Sequence, residues 1–263
     1  MSTPTPPNYH SLKPFLNYFG TGTPILTYHK IGPRPRRTRL KGLYTSSDRF
    51  RRQLHELTQA GFVTPALNKI LSPQGQSGKK IILSFDDGFR NVFANAMAPL
   101  AQHHYRAVQF LVADLIGRTN EWDVAVGEAP EPLMDVQQIK DWLQAGHEIG
   151  SHSLSHPHLS HVTPAAARAE IRDSKKKLED LFGIAIDHFC YPYGDWNQRL
   201  ADCVQEAGYS SACTTQFGLV DHQTNPYALK RITVRYPSRN LKTLGQWLGR
   251  MTRRSPQEDS KWK

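Results

Sequence analysis

The sequence has no long hydrophobic run, and its 263 residues include only 3 cysteines. The mean hydropathy is −0.55, whereas a membrane-spanning helix needs about 20 consecutive, mostly apolar residues. Cys190, Cys203 and Cys213 form no Cys-x-x-Cys pair, and an odd number of cysteines cannot complete a disulfide framework. We therefore expect no transmembrane segment, exclude a disulfide scaffold and expect the cysteines to be buried free thiols.

The N-terminus lacks the basic head and the apolar run of about 7–15 residues that mark a secretory signal peptide. As written, the sequence therefore predicts a cytoplasmic protein. Residues 1–22 are rich in Pro, Thr and Gly and predict an irregular leader. No linker interrupts the regular pattern that follows, so we expect one domain over residues 23–250 and a basic C-terminal tail over 251–263.

Acidic residues are too few to balance the basic ones, with 23 Asp and Glu against 33 Lys and Arg and a net charge of +10. The excess is concentrated in residues 34–41 (RPRRTRLK) and 250–263. Such clusters are typical of solvated loops and also of nucleic-acid sites. No folded nucleic-acid motif accompanies them, so we favour solvated loops and expect no nucleic-acid partner. Contact with anionic cell-wall or lipid surfaces is the remaining alternative.

Short apolar runs alternate with helical patterns along the chain. The predicted strands are 24–29, 80–85, 107–112, 147–151, 185–191, 209–214 and 229–235. The predicted helices are 47–60, 89–103, 135–144, 164–182, 197–207 and 241–249. This alternation predicts a parallel α/β sheet. We favour a barrel over a doubly wound open sheet, because the length suits a barrel and no G-x-G-x-x-G follows the first strand.

Polar clusters stand where predicted strands give way to loops, and in a parallel barrel those strand ends form the face that holds the chemistry. The first cluster is Ser-Phe-Asp-Asp-Gly over residues 84–88. Asp86 and Asp87 would repel each other in a shared pocket unless one bound a cation while the other stayed a free base. A simple helix-capping turn is the alternative.

The second cluster contains His152 and His156. Four residues apart, their imidazoles would share one face of a helical turn and hold a metal through nitrogen. Together with one Asp they would leave a coordination position open for water, which is typical of a catalytic site. Because His147, His158 and His161 crowd the same segment, composition alone is the alternative explanation of the pair.

Two further strand ends are candidates. In Cys-Tyr-Pro-Tyr-Gly over residues 190–194, the rigid proline before Tyr193 can aim a backbone N–H into a cleft, as an oxyanion hole requires, or simply form a turn. His29 ends the first strand and is either a structural hydrogen-bonding residue or a proton donor. Several residues near the expected cleft are candidates for sugar contacts, with core packing as the alternative for the tryptophans; they are Trp122, Asp123, Trp142 and Trp196.

In order, these clusters resemble the motifs of the polysaccharide deacetylase family, the NodB-homology domain of the carbohydrate esterases. Residues 84–88 match [ST]-F-D-D-G, residues 152–157 match H-[ST]-x-x-H-[PST], and residues 190–194 match in part the motif R-x-P-[YF] before glycine. The resemblance runs from Thr27 to Arg235. It implies a distorted (β/α)₇ barrel, similar to a TIM barrel, that removes acetyl groups from N-acetylated sugars of a polysaccharide or glycan by hydrolysing a carbon–nitrogen bond.

The resemblance also implies roles. Asp87, His152 and His156 would bind a divalent metal, usually zinc and sometimes cobalt, nickel or manganese. Asp86 would be the general base, and the backbone N–H of Tyr193 would help to hold the oxyanion.

The sequence departs from the family pattern at two places. The arginine of the third motif is Cys190, and Arg231 in the last predicted strand is a candidate replacement, because a base without a neighbouring cation would have a higher pKa. The late Leu-x-His motif that supplies the general acid is absent. A Tyr-His near the first strand is common in a branch of the family, so the acid role falls on His29. An O-acetyl esterase, another C–N hydrolase of this fold, and a carbohydrate-binding barrel without catalysis stay open.

Overall fold

The computed structural model describes residues 11–36, 38–71 and 78–234. Its strands are β1 (Ile25–Tyr28), β2 (Lys30–Ile31), β3 (Tyr44–Thr45), β4 (Ile82–Phe85), β5 (Val108–Leu111), β6 (Glu148–Ser151), β7 (His188–Cys190), β8 (Ser211–Cys213) and β9 (Ile232–Thr233). Seven of them form a parallel sheet in the order β8-β7-β6-β5-β4-β1-β9, and β2 pairs only with β3. Each predicted strand contains one strand of the large sheet, so the predicted parallel α/β sheet is confirmed.

The α-helices are α1 (Leu16–Phe19), α2 (Ser47–Gln59), α3 (Arg90–Gln102), α4 (Glu121–Val124), α5 (Val136–Gln144), α6 (Pro164–Phe182) and α7 (Gln198–Glu206). Short 3-10 helices cover Lys13–Phe15, Lys41–Leu43, Leu67–Ile70, Ala113–Leu115, Pro192–Gly194 and Pro226–Ala228. The predicted helices over residues 47–207 agree to within one residue at each end, and helix 241–249 lies outside the described residues. The longest, α6, begins with Thr163 accepting from the Ala166 N–H and ends at Gly183 with a φ of 65°.

Residues 229–233 close the curled sheet, because they contact β8 at one edge and pair with β1 near the other. Leu229 N–H donates to the carbonyl of Ala212, and Leu229 accepts from the Thr214 N–H, at 2.8 and 2.9 Å. A few residues later β9 pairs with β1. The result is a distorted seven-stranded barrel in a single domain. Strands β1, β4 and β5 are buried along their whole length, as expected for a parallel sheet covered on both faces.

The described part of the predicted leader is not irregular. Residues 13–19 are helical, and Leu12, Phe15 and Phe19 are buried in the core. The backbone N–H of Leu12 donates to Glu56 Oε2 at 2.6 Å, which fixes this segment on α2. Burial of apolar groups at helical spacing thus outweighs the irregular composition. The domain boundaries stay predictions, and the basic tail lies outside the described residues.

Membrane-spanning helices are absent from the described part of the chain, since none of its helices combines the length and the apolar character that a bilayer requires.

Candidate metal centre and catalytic cleft

The end of β4 directs two adjacent carboxylates into different surroundings. Asp87 has a φ of 76° and Gly88 a φ of 82°, so the chain turns through two consecutive left-handed residues. This conformation is uncommon for a residue with a Cβ and costs about 1–3 kcal/mol. A Cβ on Gly88 would lie 3.1 Å from the side chain of Leu111. Because of the turn, Asp86 and Asp87, which are 2% and 4% exposed, contact different partners.

Asp87 lies beside two histidines that follow β6. Its Oδ1 is 3.3 Å from His152 Nε2 and 3.4 Å from His156 Nε2. The predicted helical turn is wrong: the segment is a loop in which Ser153 and His156 have φ angles of 68° and 67°. The folded-back loop, rather than helical spacing, brings the two rings to a centroid distance of 4.9 Å.

The two imidazoles are oriented by different neighbours. His152 Nδ1 lies 2.7 Å from the carbonyl oxygen of Cys190, so an N–H there donates to that oxygen and Nε2 faces Asp87. Burial lowers the pKa of His152, but Cys190 and Asp87 outweigh burial and raise that pKa, so a metal that binds Nε2 would replace a proton there. The His156 ring stacks on Trp122 at a centroid distance of 4.3 Å, and its buried Nδ1 has no hydrogen-bond partner among the described residues. Burial lowers the pKa of His156, which favours the neutral form that a metal requires.

These three side chains fit a divalent metal. Asp87, His152 and His156 each offer a ligand atom, and the three atoms lie within 4.8 Å of one another. Ligands about 2.0–2.1 Å from a tetrahedral zinc are about 3.3 Å apart, which agrees with the separations of 3.3 and 3.4 Å between Asp87 and the two rings. Burial raises the pKa of Asp87, but hydrogen bonds from the two histidines outweigh burial and hold that pKa well below its ordinary value. The carboxylate is therefore ionised.

Asp86 pairs with Arg231, which directly precedes β9. Arg231 Nη1 and Nη2 donate to the two oxygens of Asp86, each at 2.8 Å, and Nε donates to the Thr214 carbonyl at 2.8 Å. Burial raises the pKa of Asp86, but the charge of Arg231 and further contacts outweigh burial and lower that pKa. Cys190, at the position of the family's motif arginine, lies 3.1 Å from Arg231 Nη2. The prediction that Arg231 supplies the missing cation is confirmed.

A second group of possible ligands consists of Asp86, His152 and Cys190. Both oxygens of Asp86 already accept from Arg231, and this group would take His152 away from Asp87. The geometry therefore favours the group around Asp87.

His29, at the end of β1, faces the same cleft. Its Nε2 lies 3.7 Å from Asp86 Oδ2, and its side chain is 16% exposed. A protonated His29 lowers the pKa of Asp86 further. The ring is thus close enough to the base and to the cleft to exchange a proton there, and its role as the acid stays a prediction.

The turn after β7 holds Tyr193 at φ 59° and ψ 0°. Gly194 follows with a φ of 72°, and a Cβ on it would lie 2.0 Å from Thr215 Oγ1, so a side chain does not fit there. The Tyr193 ring is 45% exposed and stacks on His158 at a centroid distance of 3.7 Å. This strained turn brings Tyr193 to the cleft wall, and the oxyanion role of its N–H stays a prediction.

All six residues predicted for the site line one cleft of about 260 Å³; they are His29, Asp86, Asp87, His152, His156 and Tyr193. Trp122 and Asp123 also line the cleft, whereas Trp142 is buried in the core. Tyr191 and Gly194 of the third motif also line the cleft, and Leu40, Leu43 and Thr215 complete the walls. No motif in the sequence marks these last three residues, so their contribution was missed.

Comparisons with known proteins agree with this site. The family model for polysaccharide deacetylase matches residues 74–212, just over half of the chain. YxkH of Bacillus subtilis, which bears a provisional polysaccharide deacetylase name, is 26% identical over 215 residues, or 80% of this chain and 71% of YxkH. A chitooligosaccharide deacetylase of Bradyrhizobium is 26% identical over 136 residues; the match covers 51% of this chain and 54% of that relative, so the chain matches about half the relative's length.

A solved structure shares the fold. The deacetylase PplD of Streptococcus pyogenes, determined in complex with acetate, superimposes with a TM-score of 0.71 at 23% sequence identity, and the match covers 86% of this chain and 97% of PplD. The family is metal-dependent, and the Asp87 group supplies a fitting set of ligands. With a family model that matches more than half of its length, the chain belongs to the polysaccharide deacetylase family.

Proposed function

We propose that this protein is a zinc-dependent hydrolase that removes acetyl groups from N-acetylated sugars of a polysaccharide or glycan. The observation that carries the proposal is the pair of adjacent carboxylates with different partners. Asp87 faces two imidazole nitrogens, whereas Asp86 is held by a guanidinium, and both line the same cleft. Membership of the family supports an acetylated carbohydrate as the substrate.

Zinc is favoured by the ligands, which are one carboxylate oxygen and two imidazole nitrogens. Three protein ligands with an open fourth position are typical of catalytic zinc, and Co²⁺, Ni²⁺ or Mn²⁺ are the other candidates. Asp87, His152 and His156 would hold the metal, which would supply Lewis acidity towards the acetyl carbonyl and towards water.

The remaining residues move protons and stabilise charge. Asp86, ionised beside Arg231, accepts a proton from the water that attacks the acetyl carbon; a general base of this kind contributes about 10²–10⁴-fold to the rate. The N–H of Tyr193 donates to the oxyanion, and the loss of one such donor costs about 10²–10³-fold. His29 protonates the nitrogen as the C–N bond breaks, which releases acetate and a free amino sugar.

The test is acetate release after the protein has been stripped with chelator and reloaded with Zn²⁺ or Co²⁺. The substrates are N-acetylglucosamine oligomers, acetylated xylan and an aryl acetate. We expect Asp87→Ala to lose both metal binding and turnover. Asp86→Asn should retain metal binding and lose about 10²–10⁴-fold in kcat. Asp202→Asn, a change at an exposed aspartate on α7, is the matched control and should retain both.

Each other outcome has a definite meaning. Release from xylan or the aryl acetate alone would make the protein an O-acetyl esterase. Metal binding without release from any substrate would favour a carbohydrate-binding barrel without catalysis. Full activity of Asp86→Asn would refute its role as the base.

A further inference from the structure

We propose that residues 33–36 and 38–43, called the basic wall below, bind an anionic group of the glycan, so that the substrate is an acidic acetylated polysaccharide rather than a neutral one. This inference rests on the proposed function and names its substrate class more closely. Residues 34–41 contain five cations and no acidic residue. Arg37 lies outside the described residues, and the proposal depends on Arg36, Arg39 and Lys41.

The fold places the basic wall at the mouth of the cleft. Strand β2 precedes the basic wall and β3 follows it, and the two strands pair with each other. The two ends of the basic wall therefore lie side by side. Leu40 and Leu43 both line the cleft beside the metal ligands. Arg39 and Lys41 flank Leu40 in the sequence, so they lie next to the cleft wall.

Glu128 holds the backbone of the basic wall and does not pair with the side chains of Arg36, Arg39 or Lys41. Glu128 Oε2 accepts from the backbone N–H groups of Arg39 and Leu40, at 3.0 and 2.6 Å, and Glu128 Oε1 accepts from Ala129 N–H at 3.0 Å. The Arg39 guanidinium donates to the carbonyl of Val126. Burial raises the pKa of Glu128, but these backbone hydrogen bonds outweigh burial and lower it. The carboxylate thus fixes the main chain.

Three of the exposed cations are available to an anion. Arg36, Arg39 and Lys41 are exposed, and within the described ranges none of them forms an ion pair with a carboxylate. Like charges fixed close together repel one another, and an anion that binds between them relieves this cost. Because Glu128 already holds the backbone in shape, little conformational entropy is lost when such an anion binds.

The cleft is too small to enclose several sugars, so a bound polymer must also contact residues outside it. A volume of about 260 Å³ is below the range of about 300–1,000 Å³ that encloses a drug-sized ligand. Sugars that flank the reacting unit must therefore lie along the rim. Guanidinium and ammonium groups bind carboxylates and phosphates, so an acidic sugar or a phosphorylated sugar supplies the matching chemistry.

The test compares N-acetylglucosamine oligomers with the same oligomers oxidised to carboxylates at C6 and with oligomers phosphorylated at C6. Affinity is measured by titration calorimetry on the full-length protein, and KM and kcat are measured by acetate release. Removal of both Arg36 and Lys41 (R36Q/K41Q) should weaken binding of the acidic oligomers by about 1.5- to 5-fold per cation. Binding of the neutral oligomer should not change.

Salt supplies a second measurement. The Debye length falls from about 30 Å at 0.01 M to about 3 Å at 1 M, so the preference for acidic oligomers should disappear over that range. The matched control is K140Q/R199Q, which removes one exposed lysine and one exposed arginine from α5 and α7, outside the cleft. This variant should bind all three oligomers as the unmodified protein does.

The outcomes separate this inference from the proposed function. A preference for only the carboxylated or only the phosphorylated oligomer identifies the anion. Acetate release together with affinity that ignores the charge of the oligomer overturns this inference alone. An intact preference without acetate release from any oligomer supports the basic wall and refutes the deacetylase activity. If R36Q/K41Q weakens binding to DNA or to vesicles containing phosphatidylglycerol but not to acidic oligomers, the inference is overturned in favour of that partner.

Discussion

Replacing Arg231 by methionine should weaken the base and the fold together. Arg231 is 1% exposed and donates to both oxygens of the buried Asp86 at 2.8 Å. Removing one partner of a buried ion pair costs about 3–5 kcal/mol, because the other charge stays buried without compensation. We therefore expect the free energy of unfolding of R231M at pH 7 to fall by about 3–5 kcal/mol, as measured by urea denaturation.

The pH dependence identifies the mechanism of this loss. In the unmodified protein the pKa of Asp86 is lowered, so its stabilising contribution is present above the unfolded pKa and is lost as the pH falls through the folded pKa. In R231M burial acts without the compensating charge, and the pKa of Asp86 rises. Because Asp86 must be ionised to accept a proton, the acid limb of the kcat/KM profile should move to higher pH.

Two variants test whether the cation itself is responsible. R231K keeps the charge without the two-pronged contact, and it should lie between R231M and the unmodified protein. C190R/R231M returns a guanidinium to the strand that carries it in the family motif, and it should restore part of the activity. An acid limb that stays at the same pH in R231M, while Asp86→Asn is inactive, would refute this reasoning.

Two further predictions concern packing and acid stability. In Gly194→Ala the new Cβ would lie 2.0 Å from Thr215 Oγ1 at a φ of 72°, so kcat/KM should fall. Adding Thr215→Gly to this variant should recover part of the lost kcat/KM. No recovery would contradict the steric explanation. Burial lowers the pKa of His147 to about 4, so folding favours the neutral ring and stability is lost as the pH falls from about 6.5 towards that value. His147→Phe should reduce this loss in urea unfolding at pH 7 and pH 4.5, and an unchanged loss would show that other groups govern it.

The elements of the barrel are predictable where the chain is buried on both sides. Strands β1, β4 and β5 are mostly apolar and are buried along their length, and α6 begins at a proline and is followed by a glycine, so local signals mark both kinds of element. The pair β2 and β3 was missed because two residues are too few for a hydrophobic period. The helix at Leu16–Phe19 was missed because its Pro- and Thr-rich surroundings suggest irregular structure.

The site is predictable to the extent that its residues are consecutive at strand ends. Asp86, Asp87 and Tyr193 are found from such motifs, whereas Arg231 is a candidate only as a basic residue in the last predicted strand. The path of a loop is not predictable in this way, because it depends on contacts with residues far away in the sequence. Glu128, which fixes Leu40 at the cleft wall, is 88 residues away in sequence, and the left-handed φ angles that fold the His152 loop leave no trace in its composition.

The segment over residues 229–233 has a consequence for the order of assembly. Asp86 and Arg231 are 145 residues apart in sequence, and synthesis proceeds from the N-terminus. During synthesis Asp86 is therefore made well before Arg231. Joining the two residues closes a long loop, and the entropic cost of loop closure increases with loop length. A chain in which β9 has not docked lacks the contact of Arg231 that holds the base in place. Hydrolytic activity consequently reports on the docking of β9.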